Sequence, residues 1–193
     1  MATPINVSSK HLQIFNPDAL YVTPFVEGST AGTYEKGTVT YKLSEVIRDT
    51  TTISQDDPTE NKIENEFSSA AILTNTQLGS FTFSAEVADM QQDLLVALCG
   101  YIKGDDTTRT FAPSTYTPVY AEIALAFKLG DNKYAAAVLP KVQLNSKATF
   151  DSLSSSMGRI TLAGTGLNIA VSNGASTIET PFYIDSSWTI SEI

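Results

Sequence analysis

The stretch VYAEIALAFKLGDNKYAAAVLPKVQL, from Val119 to Leu144, decides the fold. Its first half alternates in a strand-like way and places one apolar set on a single face: Val119, Ala121, Ile123, Leu125 and Phe127. Gly130-Asp131-Asn132 is a turn sequence, and a second strand follows from Tyr134 to Leu144. The stretch therefore predicts a β-hairpin. Pro140 predicts a sheet edge or a bulge, because proline cannot donate a ladder hydrogen bond.

Shorter strand-like stretches surround this hairpin. Residues 38–43 place Val39, Tyr41 and Leu43 on one face and Thr38, Thr40 and Lys42 on the other. Residues 78–83 turn Phe81 and Phe83 inward and Ser80 and Thr82 outward. Further strands are predicted at Leu20–Val26, Arg159–Leu162, Leu167–Val171 and Pro181–Ile184, with Gly164-Thr165-Gly166 as a tight turn. The fold class predicted is mainly β, a β-sandwich or open barrel of about seven or eight strands with one flanking α-helix.

The one predicted helix is EVADMQQDLLVALCGY, residues 86–101. Its apolar residues recur every three or four positions, as they do on one face of a helix. Ser84 is placed to cap the N-terminus and Gly100 to cap the C-terminus. Glu86 and Asp89 suit the helix dipole at the N-terminal end.

A length of 193 residues predicts a single domain, 1–193, with two extensions. Residues 1–32 are punctuated by Pro and Gly and are predicted to form an N-terminal arm. Residues 48–75 are polar, and from Asp49 to Glu66 they contain six acids and one base. This segment is predicted to be a long acidic loop, in which Ile63 and Phe67 have no local core to join.

Charge and cysteine content exclude several function classes. With 21 acidic and 12 basic side chains the net charge is −9, which argues against a nucleic-acid-binding protein, because that affinity comes from Lys and Arg. A lone Cys99 and a lone His11 exclude an internal disulfide and a Cys/His zinc cluster. Neither a signal peptide nor an apolar run of about 20 residues is evident, so we expect synthesis in the cytosol and no membrane association.

Catalytic signatures are not found in the sequence. The serines of SLSSSMG, residues 152–158, have only His11 as a base, and His11 lies in the irregular arm. The Gly164-Thr165-Gly166 stretch has no nucleotide-binding context. Asp56, Asp57, Glu60 and Glu64 match no calcium loop, so a solvated acidic segment is favoured over a metal site. We therefore predict no enzyme, no catalytic residues, no metal and no cofactor.

The extensions favour a homo-oligomer. Ordering an arm and a long loop costs about 1–2 kcal/mol per residue, and a lone subunit has no local core to offset that cost. A neighbouring subunit could bury Ile63 and Phe67 and thereby order the loop. The predicted subunit interface comprises Asp49, Asp56, Asp57, Glu60, Ile63 and Phe67.

The order of these elements resembles the major tail tube proteins of long-tailed (siphovirus-type) bacteriophages. The resemblance covers about residues 33–185. It rests on a two-faced strand, a long acidic segment, the strand FTFS, a helix ending in Leu-x-Gly, and the proline-flanked hairpin whose second strand contains Leu-Pro-Lys.

The resemblance implies a structural subunit of a virion tail tube, assembled in the bacterial host cytoplasm. Such subunits form stacked, hexameric rings whose inner sheets join around a channel, and DNA is passing cargo during genome ejection. The other partners implied are the tape measure and terminator proteins of the tail. The acidic residues of the loop could meet basic residues of an adjacent ring, such as Lys133, Lys141 or Lys147.

The resemblance also makes four outward hydroxyls candidates for facing the lumen: Thr38, Thr40, Ser80 and Thr82. The alternative is that they face bulk solvent on an ordinary sandwich. Two other functions remain open at this point. One is the tube of a contractile injection or type VI-like system, and the other is a β-sandwich that binds a ligand such as a glycan.

Overall fold

A ten-stranded antiparallel sheet with one helix packed against it makes up most of the described chain. The structure is a computed structural model and describes residues 17–30, 33–65, 68–105, 108–115, 117–130, 133–150, 158–172 and 174–189. The mainly-β fold class with one helix is confirmed for these residues. The strands are more numerous than the seven or eight predicted, because many are short: β1 Pro17–Glu27, β2 Tyr34–Lys36, β3 Tyr41–Leu43, β4 Thr52–Gln55, β5 Thr59–Asn65, β6 Ser68–Gln77, β7 Phe81–Val87, α1 Gln92–Cys99, β8 Ile102–Lys103, β9 Thr110–Phe111, β10 Val119–Gly130, β11 Lys133–Leu144, β12 Lys147–Thr149, β13 Arg159–Gly166, β14 Ile169–Ser172, β15 Thr177–Thr180 and β16 Tyr183–Trp188.

The main sheet runs in the order β2-β1-β10-β11-β13-β7-β4 and forks at three places. β3 joins β1 beside β2, β16 joins β11 beside β13, and β12 pairs with β13. Three separate two-stranded ribbons accompany the sheet: β5–β6, β8–β9 and β14–β15. The β10–β11 hairpin predicted from the sequence is confirmed and lies at the centre of the sheet.

Pro140 lies at a bulge in this central hairpin, as predicted. Ala121 pairs with Val142 and Ile123 with Leu139, so one residue of β10 opposes two of β11. The extra residue reverses the alternation of side chains along β11. Leu139 and Val142 therefore both point into the same core, although an unbulged strand would place them on opposite faces.

The inner face of the sheet and one face of α1 enclose the main core. Leu94 and Leu98 of the helix pack there, as their spacing predicted. The core is aliphatic with one phenylalanine among its buried residues: Leu20, Val22, Leu43, Phe83, Ala85, Val87, Leu94, Leu98, Ala121, Ile123, Leu139, Val142, Leu144, Ile160 and Leu162.

The predicted start of the helix is wrong, although its end is correct. Residues 81–87 alternate with period two and form β7, so Ser84 and Glu86 are strand residues and Ser84 caps no helix. α1 begins at Gln92 and has no side-chain cap. At the other end Gly100 has φ 68°, the left-handed conformation that glycine adopts at little cost.

The prediction of an N-terminal arm at 1–32 is wrong for most of the part that the structure describes, although the strand predicted within it at Leu20–Val26 is confirmed. Pro17–Glu27 forms β1, which pairs with β10 on one side and with β3 and β2 on the other. Leu20 and Val22 point into the main core, so this segment is an integral strand of the sheet. Residues 1–16, including His11, lie outside the described residues.

The prediction of a long loop at 48–75 is also wrong. β4 lies in this segment and pairs with β7, and β5 and most of β6 form a hairpin that has no other strand partner among the described residues. These strands were not predicted because the segment is mostly polar and shows no long alternation of apolar residues. Ile53 of β4 packs against the main core.

Gly164-Thr165-Gly166 is the end of β13 and not the tight turn that we predicted. A Cβ atom at Gly164 would lie 2.5 Å from Val142 Cγ1 and 2.6 Å from the Gln143 carbonyl oxygen. Glycine is required here because the backbone of β11 approaches closely.

Candidate functional site

The outer face of β4, β7 and β13 carries an array of hydroxyl side chains. Ile53, Phe83 and Leu162 point into the core, so the residues on either side of each point outward. We define the hydroxyl face by the outward Ser and Thr side chains of these three strands: Thr52, Ser54, Thr82, Ser84, Thr161 and Thr165.

Two pairs of these hydroxyls bind each other across the β4–β7 ladder. Thr52 Oγ1 lies 2.8 Å from Ser84 Oγ, and Ser54 Oγ lies 2.9 Å from Thr82 Oγ1. Both pairs connect residues that are direct register partners. Each pair uses one of its two O–H donors internally, and the Ser and Thr side chains themselves are polar and uncharged.

The charges at the edge of this face form a pair. Glu86 of β7 and Arg159 of β13 lie on the same outer side, with Oε1 and Nε 3.4 Å apart, and both are half-buried. Two opposite charges held at this distance largely cancel one another. The face therefore presents no run of positive charge on which phosphate groups could be held.

The structure separates the four hydroxyl residues that we predicted to face a lumen. Thr82 belongs to the hydroxyl face, and Ser80 directly precedes β7, where its carbonyl accepts a 2.9 Å hydrogen bond from the Asp56 amide. Thr40 Oγ1 lies 2.9 Å from Thr23 Oγ1 at the far side of the sheet. Thr38 precedes β3, which begins at Tyr41 and pairs with β1. The two predicted pairs are thus on different parts of the sheet.

Sequence reasoning missed five members of the hydroxyl face. Thr52 and Ser54 lie in the segment predicted to be a loop, Ser84 was predicted as a helix cap and Thr165 as part of a turn. Thr161 lies in the predicted strand Arg159–Leu162 but was not proposed for this face. The alternation of Thr52, Ile53 and Ser54 was the available signal. It spans only four residues and was outweighed by the acidic residues around it.

The predicted interface residues lie on and around the β5–β6 hairpin. Asp49 is exposed in a turn with φ 63° and lies 3.8 Å from Arg48. Asp56, Asp57 and Glu60 are exposed at the base of the hairpin. Ile63 is a residue of β5, and Phe67 lies outside the described residues. Asp49 thus precedes β4, Asp56 and Asp57 connect β4 to β5, and Glu60 and Ile63 belong to β5; their role at an interface stays a prediction.

A second feature is an aromatic groove of about 390 Å³ beside β2. Its rings include Phe25, Tyr34 and Tyr120, and the last two have centroids 4.7 Å apart. Lys141 Nζ lies 4.9 Å from the centre of the Tyr120 ring and 5.3 Å from that of Phe25. These cation–π contacts hold the rings in place.

The single tryptophan does not provide an exposed platform for a ligand. Trp188 stacks at a tilt on Tyr21, with centroids 5.0 Å apart, and covers a small cluster of buried alanines on the outer side of the sheet. The groove just described, which brings Phe25, Tyr34 and Tyr120 together, is a better candidate for an aromatic ligand platform.

Cys99 has the character of a packing residue. Burial raises the pKa of its thiol to about 11, so it stays protonated at neutral pH. Within the described ranges no three His, Cys, Asp or Glu side chains come together in a way that could hold a metal ion. α1, the only helix among the described residues, is too short to cross a bilayer.

No family model matches this chain, and no curated protein matches it.

Proposed function

We propose that this chain is the structural subunit of a tail tube of the long-tailed phage type, which assembles into stacked rings around a channel for DNA. The observation that carries the proposal is the hydroxyl face. A channel wall for DNA has to be polar but must not hold phosphates. A face of uncharged Ser and Thr hydroxyls, four of the six bonded in pairs, has both properties.

The edges of the main sheet support ring formation. Among the described residues β4 pairs only with β7, and β2 pairs only with β1, so the two ends of the sheet path each leave a strand edge open. Open edges template pairing with other strands, and closing sheets around a ring removes them. The hydroxyl face reaches one of these edges, at β4.

The β5–β6 hairpin supports contact between subunits. A two-stranded hairpin is marginally stable on its own in water, and this hairpin has no third strand within the described chain. Packing against a neighbouring subunit or ring would supply that support. Exposed Asp56, Asp57 and Glu60 at its base would keep it solvated before assembly.

The expected partners are further copies of this chain, tape measure and terminator proteins, and DNA only as passing cargo. Assembly in the host cytoplasm and residence in the virion tail follow from the same proposal. A tube from a contractile system would share these features, and a sheath protein that binds the assembled tube would distinguish it.

Light scattering coupled to gel filtration, followed by negative-stain electron microscopy of the purified chain, tests the proposal. Rings or tubes about 100 Å wide are expected, the order of size for six domains of this length around a channel. A strict monomer at high protein concentration would contradict it. If that monomer binds glycans on an array, and if Tyr34→Ala abolishes the binding, the ligand-binding alternative is supported at the aromatic groove.

A further inference from the structure

Two exposed apolar features remain on this chain once the hydroxyl face and the β5–β6 hairpin have been assigned. One is the β8–β9 ribbon, and the other is the aromatic groove. We propose that the ribbon of one copy inserts Ile102 and Phe111 into the aromatic groove of the next copy, as the head-to-tail contact of the ring. The inference rests on the proposed assembly and names the contact within it.

Ile102 and Phe111 form a contiguous apolar knob. They are register partners across the β8–β9 ladder, so their side chains lie next to each other on one side of the ribbon. Ile102 is 59% exposed and Phe111 is 51% exposed. Among the exposed large hydrophobic residues of the described chain, no other two are ladder partners.

The ribbon is held rigidly enough to act as a preformed knob. Lys103 Nζ lies 3.3 Å from Asp93 Oδ1 at the start of α1. Gln92 Nε2 donates a 3.0 Å hydrogen bond to the Arg109 carbonyl, which also accepts a 2.8 Å bond from the Gly104 amide. A preformed knob loses little conformational entropy when it binds.

The groove has the size and lining to receive such a knob. Its volume of about 390 Å³ falls within the range of pockets that bury small apolar ligands. Its walls are mostly aromatic and aliphatic, and Val26 and Val39 on those walls are each 55% exposed. Since both the knob and these wall residues are exposed, the groove is not filled by the ribbon of its own chain.

The pair of exposed surfaces on one chain favours a second copy as the occupant, because a groove with apolar walls and a knob of two apolar side chains are both left uncovered. The charges around them are of both signs. Exposed Glu27 and Glu35 share the β1–β2 lip of the groove with Lys36, which is paired with Glu122, and Lys103 of the ribbon is paired with Asp93. Knob and groove are different surfaces of one chain, so a head-to-tail contact between them builds rings or filaments, whereas a reciprocal contact would stop at a dimer.

Two substitutions, one on each surface, test this contact. Phe111→Asp places a charge on the knob and Val39→Asp places a charge in the groove. Both positions are exposed, so both variants are expected to fold. Phe150→Asp is the matched control, because Phe150 is 72% exposed and belongs to neither surface. Circular dichroism of all three checks the fold, and sedimentation velocity measures the assembly.

Each single variant is expected to stay monomeric, while the control assembles like the wild type. A 1:1 mixture of the two variants is expected to form heterodimers and to stop there, because one intact knob meets one intact groove and the other two surfaces are defective. Normal rings from either variant alone, or a mixture that stays monomeric, would overturn the contact while leaving the tube proposal in place. Failure of the wild type itself to assemble would overturn both.

Discussion

Ser54 and Thr82 face each other across the β4–β7 ladder with their hydroxyl oxygens 2.9 Å apart, next to a matching pair made by Thr52 and Ser84. This repeated contact makes a polar surface whose donors are partly used within the surface itself. The contact connects two strands. β4 is a short edge strand in an acidic stretch of sequence, and β7 contributes to the main core with its other face.

A positive charge on this face should make an assembled tube retain DNA. Thr82→Lys adds one charge per subunit at the centre of the hydroxyl face, and Thr177→Lys adds the same charge on the exposed ribbon strand β15. Tubes are assembled with short duplex DNA and treated with nuclease at two salt concentrations. Protected DNA is expected with Thr82→Lys at low salt and is expected to fall steeply as salt rises.

Wild-type tubes and Thr177→Lys tubes are expected to protect little DNA. Equal protection by both lysine variants would show that the hydroxyl face does not line the channel.

Replacing Gly164 by Ala should destabilise the chain. The new Cβ would lie 2.5 Å from Val142 Cγ1 and 2.6 Å from a backbone oxygen of β11, so the strands must separate. A loss of about 1–3 kcal/mol in the free energy of unfolding is expected, as for other overpacked sites. Urea unfolding measures it. Gly166→Ala in the same strand is the control, because its nearest neighbours would be 3.3 Å away, and it should cost less.

Leu98→Ala should remove a large part of the stability of the main core. Leu98 is fully buried between α1 and the sheet, and truncation of such a leucine costs about 2–5 kcal/mol because it leaves a cavity. Leu129→Ala, at a leucine that is 42% exposed, is expected to change the free energy of unfolding by about 0.5 kcal/mol or less. Similar losses in the two variants would contradict the placement of the core.

Cys99 should react slowly with thiol reagents while the chain is folded. Burial raises its pKa from 9.0 to about 11, so at pH 8 the thiolate is about a hundredfold scarcer than in the unfolded chain. Iodoacetamide labelling with and without urea measures the difference. The raised pKa also means that unfolding releases a proton above pH 9. The contribution to stability is therefore complete below pH 9 and is lost as pH rises through about 11.

The parts of the fold that could be predicted are those with one buried face. Burial of one face gives the β10–β11 hairpin its alternating sequence, and Pro140 marks its bulge. The left-handed backbone at the end of the helix favours glycine, which Gly100 supplies. The predicted start of the helix was wrong because the position of Val87 fits both the alternation of a strand and the apolar face of a helix. In the structure Val87 pairs with Ile160 of β13 and belongs to a strand.

The strands that could not be predicted are polar or depend on distant partners. β5 and β6 pair only with each other among the described strands, and the acidic and other polar residues of their segment gave no clear strand pattern. Gly164 looked like a turn residue because its need for glycine comes from Val142 and Gln143, about 20 positions earlier in the chain. The hydroxyl face combines three separate segments, and only the sheet order brings them together.

Shortening the β5–β6 hairpin should abolish assembly and leave the subunit folded. Asn61 and Asn75 are register partners, so residues 62–74 can be replaced by an Asn-Gly turn without disturbing the base of the hairpin. Because β5 and β6 pair only with each other among the described strands, the free energy of unfolding should change by about 0.5 kcal/mol or less. The double variant Ile63→Ser, Phe67→Ser should also lose tubes if these two side chains dock on a neighbour.

The matched control is the β14–β15 ribbon, where Ala170 and Glu179 are register partners and residues 171–178 can be replaced in the same way. That variant is expected to assemble, since nothing in the proposal places β14–β15 at an interface. Urea unfolding and negative-stain microscopy of the three variants decide the matter. Tubes formed by the shortened β5–β6 variant would show that the hairpin is dispensable for assembly.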